Sequence, residues 1–140
     1  PRLESLIRDS GITLTDEVLP MGTHGASLKG KIYIAQGLPI AERFAVLAHE
    51  LAHEWMHDEA YRKRKLKIVC ETEAEAVAYV VCRAFGFECS TRSSDYIQLH
   101  QGDEATLAES LQRIQNTATR IIQSLDETHQ PVEEEQRHVA

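Results

Sequence analysis

The spacing of apolar residues changes several times along the chain, and each change marks an element. Leu3, Leu6 and Ile7 recur at helical intervals over residues 2–9 and Ser10-Gly11 follows, which predicts a short opening helix. Between residues 12 and 36 the pattern shortens to alternating pieces. Residues 26–28 and 31–35 flank Lys29-Gly30, a two-residue turn signal, so a hairpin within a small, mostly antiparallel sheet is expected. Pro39 suits the first turn of a helix, and Phe44, Leu47, Ala48, Leu51 and Trp55 then recur at three and four residues, a buried stripe running to about His57. The basic run Arg62-Lys63-Arg64-Lys65, with Lys67, reads as a loop. Ala74, Val77, Ala78, Val81 and Phe85 predict another helix from about residue 69 to residue 85, ended by Gly86. Residues 89–102, rich in Ser, Thr and Asp, read as a long surface loop. Asp103 is placed to cap a last helix whose Leu107, Leu111, Ile114, Ala118, Ile121 and Leu125 make one apolar face.

These elements compose an α+β domain, a few helices packed on a small sheet. A chain of 140 residues is long enough for one core and too short to bury two well, so residues 1–126 are assigned to one domain and 127–140 to an acidic, flexible tail. The net charge of −7 weighs against general nucleic-acid binding, which needs clustered cations. From Asp126 onward five acidic residues face Arg137 alone, so −4 belongs to this end and −3 to the rest. Cys70, Cys82 and Cys89 form an odd set without CxxC spacing, which fits neither a disulfide framework nor a zinc knuckle and points to a reducing cytoplasm. Nothing resembles a signal peptide, and no apolar run approaches the roughly 20 residues of a membrane helix, so a soluble protein without membrane contacts is expected. Because the chain opens with Pro1 rather than Met, further upstream domains are expected.

The chemistry lies in the central helix. Residues four apart share a helical face, so His49 and His53 can offer two imidazole nitrogens to one ion, with Glu50 beside them. Zinc suits this His-Glu-x-x-His arrangement, because three protein ligands leave a position open for water. A metzincin would need Gly at position 56 and His at 59, where this chain has Met56 and Glu59. The third ligand is therefore expected among Glu71, Glu73 and Glu75. At about 100° per residue, Glu71 and Glu75 fall on the apolar side with Ala74, Ala78 and Cys82, and Glu73 points roughly opposite, into solvent. One of the two inward carboxylates would bind zinc and the other would accept the N–H of a ligating histidine.

HELAH at 49–53 followed by ETEAEAVA at 71–78 resembles the zincin domains of the ImmA/IrrE and ArdC metallopeptidase families, which are gluzincin-like. The resemblance implies a minimal zincin fold, Glu71 as the third ligand and Glu75 as its supporting neighbour. Relatives often carry Asp or Asn at the supporting position, so the longer Glu75 leaves an exchange of roles open. The likeness extends to residues 93–97 and the final helix, about residues 1–126 in all. It also implies cleavage of a regulatory protein, or action near DNA-processing systems of mobile elements.

The expected activity is therefore zinc-dependent hydrolysis of a peptide bond in a protein or peptide substrate, with Glu50 as base and then acid. Tyr96, Tyr61 and His100 are the candidates for stabilising the oxyanion. The strand at 31–35 is expected to offer its edge to an extended substrate. His57 is expected to lie behind the ligands or in solvent, since a fourth protein ligand would close the site. The rival function is a non-proteolytic zinc-binding regulatory or nucleic-acid-associated module, resting on the basic run at 62–67 or on the upstream domains.

Overall fold

The computed structural model describes residues 2–87 and 104–129, with side chains of the last helix placed for residues 107–126. Five helices and three strands appear among them, in the order α1 (Arg2–Asp9), β1 (Thr13–Glu17), β2 (Gly25–Leu28), β3 (Lys31–Ala35), α2 (Ile40–Met56), α3 (Glu59–Arg64), α4 (Lys67–Ala84) and α5 (Glu104–His129). The domain is α+β. The expected loop at 89–102 and the cap at Asp103 lie outside the described residues, and α5 runs three residues past the expected domain limit at 126.

The sheet has the order β1-β3-β2. Lys29 and Gly30 take positive φ values of 43° and 82°, the requirement of a two-residue hairpin turn, and β2 pairs antiparallel with β3. The expectation of a mostly antiparallel sheet needs correction, because β1 runs parallel to β3, with Thr13 opposite Lys31. A hairpin folds its own two strands, but the chain enters from α1 on the far side and adds β1 in the other sense. The central place of β3 removes its free edge, and Ile32 and Ile34 are completely buried in the core with Leu47, Ala48 and Leu51 of α2. The strand at 31–35 therefore cannot receive an extended substrate by its edge; the edges belong to β1 and β2.

Helix α2 crosses behind the sheet with Leu47, Ala48, Leu51 and Ala52 inward, and α4 lies along it with Ala74, Val77, Ala78 and Val81 against the same core. Pro39 stands at the N-cap of α2 rather than inside its first turn. Gly86, at φ 82°, ends α4: its N–H bonds to the Arg83 carbonyl and that of Phe87 to Cys82, leaving Phe87 against the Phe44 ring. Cys70 and Cys82 are both buried.

Two further expectations fail here. The basic run is largely helical: Asp58 caps α3 by accepting from the Tyr61 N–H at 2.8 Å, and Tyr61 is buried. In α5 the buried stripe is Ser110, Ile114, Ala118, Ile121 and Leu125, while Leu111 is 49% exposed. Three- and four-residue steps back from Ile121 reach position 110, and Leu111 sits one residue, about 100°, to the side. No helix among the described residues is long and apolar enough to cross a membrane.

Candidate metal centre

Three donor side chains from two helices meet where α2 lies beside α4. His49 Nε2 is 3.0 Å from Glu71 Oε2, His53 Nε2 is 3.2 Å from Glu71 Oε1, and the two Nε2 atoms are 3.2 Å apart. A tetrahedral shell with bonds of about 2.0–2.1 Å has edges of about 3.3 Å, so these spacings fit a zinc ion bound by two imidazoles and a carboxylate. The opposite ring nitrogens are engaged elsewhere: His49 Nδ1 faces Glu75 Oε2 at 2.9 Å, and His53 Nδ1 faces His57 Nδ1 at 2.9 Å. With protons on both Nδ1 atoms, two bare Nε2 lone pairs and a carboxylate converge on one point, an arrangement that calls for a cation.

Without a metal a proton takes that cation's place. Burial works against a charged His49, but its hydrogen bonds to Glu71 and Glu75 outweigh this and raise its pKa to about 10. The hydrogen bond from His49 is the largest cause that holds the Glu71 carboxyl far below the ordinary range. Burial lowers the pKa of His53, so its ring stays neutral. Glu50 is 7% exposed and lines a cavity of about 500 Å³ together with His53 and Glu71. Burial pushes its pKa up to about 7. Gly25, Ala26 and Ser27 of β2 form another wall.

The sequence reading of α4 needs one exchange. Glu71 and Glu75 are about half exposed, at the margin of the apolar face rather than within it, and Glu73, expected in solvent, is fully buried. The buried stripe of α4 includes Cys70, Glu73, Ala74, Val77 and Ala78, and is centred one residue away from the expected one. Glu73 survives in the interior because His57 Nε2 at 3.0 Å, the Tyr61 hydroxyl at 2.8 Å and the Ser110 hydroxyl all meet its carboxylate. Burial opposes its charge, but these hydrogen bonds prevail and lower its pKa.

Of the expected oxyanion residues, Tyr61 is committed to Glu73 and roofed by the Arg113 guanidinium 3.9 Å above its ring. Tyr96 and His100 lie outside the described residues. His57 does lie behind a ligand. The one signal for this group was the four-residue column His49, His53, His57 and Tyr61, whose successive rings are 4.8, 5.1 and 5.1 Å apart.

No family model matches the chain, and no solved structure matches it. Over 88 residues, 61% of its length, it is 30% identical to the uncharacterized protein pXO2-81 of Bacillus anthracis. The matched region spans 15% of that relative's own length.

Proposed function

We propose that this domain is a zinc-dependent peptidase centre, with His49, His53 and Glu71 as ligands and Glu50 as the catalytic base. The convergence of two imidazole Nε2 atoms on the Glu71 carboxylate, with Glu50 one residue from His49 on the cavity side, is the observation that carries it. A bound zinc would supply a Lewis acid that polarises the scissile carbonyl and acidifies water. Glu50, a buried carboxylate with its pKa near neutrality, takes the proton of the attacking water and hands it to the leaving amine. Glu75 orients the His49 ring through Nδ1. The edge available to an extended substrate is that of β2, whose residues 25–27 line the same cavity, so main-chain pairing would set a peptide across Glu50.

The resemblance of HELAH and ETEAEAVA to ImmA/IrrE and ArdC zincins supports the same assignment. The nucleic-acid reading has less to stand on, because Arg62 donates to the His57 carbonyl and to Ser27, and Lys63 pairs with Glu59.

The test is metal-dependent cleavage of a proteome-derived peptide library by the full chain, with and without chelator. Glu50→Gln should bind zinc as tightly as the wild type and lose cleavage by about 10²–10⁴-fold. A library untouched by the zinc-loaded wild type would sink the peptidase assignment, and a Glu50→Gln variant that still cuts would remove Glu50 from it.

A further inference from the structure

Glu73 lies two residues from Glu71 but is turned into the core, with no exposed surface. Burying a carboxylate is unfavourable unless donors surround it, and an apolar residue of similar volume would often serve stability as well. The reason for this group is to be sought along its contacts. Ionised Glu73 offers only lone pairs, and three donors point at it: His57 Nε2–H and the Tyr61 hydroxyl at Oε1, and the Ser110 hydroxyl at Oε2. A neutral His57 with its proton on Nε2 has a bare Nδ1. That atom lies 2.9 Å from His53 Nδ1, so the proton between the two rings belongs to His53. His53 Nε2 is then left as a lone pair, and it is this nitrogen that meets His49 and Glu71. The protons are assigned from their partners, starting from a single proton on His57 at Nε2.

We infer that Glu73, acting through His57, fixes the tautomer of His53 and holds its Nε2 ready for the metal. Glu73 is a positioning residue for the ion, not a ligand. The inference rests on the metal-centre reading given above. The two ligand histidines are thus supported unequally. His49 leans on Glu75, a carboxylate 53% exposed to water, whereas His53 leans on a buried chain ending in a carboxylate that three elements enclose. Loss of the buried chain cannot be replaced by solvent.

The experiment measures the zinc Kd of the full, metal-stripped chain by competition with a chromophoric chelator, alongside the visible spectrum of its cobalt(II) form. The wild type should take up one equivalent. Glu73→Gln should bind zinc about 10–100-fold more weakly and shift the cobalt bands, since the supporting partner of a ligand histidine is altered. His57 supplies a second pair of variants should Glu73→Gln fail to fold. His57→Gln, whose amide can accept from His53 while donating to Glu73, should keep most of the affinity, and His57→Leu should lose about 10–100-fold. A role in packing alone would place these two variants in the reverse order. A wild type that binds no zinc overturns the metal-centre reading and this inference with it. A wild type that binds zinc, with folded Glu73→Gln and His57→Leu binding it equally well, overturns the relay alone and leaves the centre standing.

Discussion

In the proposed centre a proton and a metal ion compete for the same nitrogen. The pKa of His49 stands at about 10 in the metal-free chain, so at neutral pH its ring is protonated and Nε2 must give up that proton before it can ligate. The lowered pKa of His53 means that its ring is already neutral. Zinc affinity should therefore rise about tenfold per pH unit between pH 6 and 8, with about one proton released per ion bound. Titration calorimetry in buffers of different ionisation enthalpy measures both; a pH-independent affinity would contradict the protonated His49. At this scale four-residue spacing put His49 and His53 on one face of α2 and Glu71 and Glu75 on one face of α4, and the packing of the two helices brings those faces together. The inward face of Glu73 could be read from Val77 and Val81, four and eight residues on, but what satisfies its charge could not. Its donors stand 12, 16 and 37 residues away, and helical angle alone cannot see them.

At the scale of elements, the meeting of β2 with α2 depends on one missing side chain. A Cβ on Gly25 would lie 2.6 Å from Val46 Cγ1 and 3.2 Å from Glu50 Cγ, so with any other residue there the strand or these two side chains must shift. Gly25→Ala should cost about 1–3 kcal/mol of stability and depress cleavage, because the same atom displaces the Glu50 side chain. Adding Val46→Ala opens the tightest contact and should restore part of the melting temperature. Full stability in the single variant would mean that the strand does not approach so closely. The hairpin was readable from Lys29-Gly30, but the parallel β1 was not, since its partner is chosen by where α1 packs. Helix α3 was hidden by its own charge. Its Asp58 cap and inward Tyr61 were visible signals that the basic run overshadowed.

For the whole molecule, a metal held at the proposed centre would add its binding energy to folding. Zinc at a hundredfold excess over its Kd should stabilise the chain by about 2.7 kcal/mol, a rise of roughly 10 °C in Tm. A thermal melt with and without chelator tests this, and coincident curves would contradict a centre that bridges α2 and α4. Helix α5 is part of the same unit. Ser110 reaches Glu73, and Arg113 donates to the Met56 carbonyl at 2.6 Å at the end of α2. Linkage is reciprocal, so whatever the ion gains from a seated α5, α5 gains from the ion. A partner that pried α5 away would act as a chelator without touching the metal, and zinc starvation would register as fraying of a helix that carries none of its ligands.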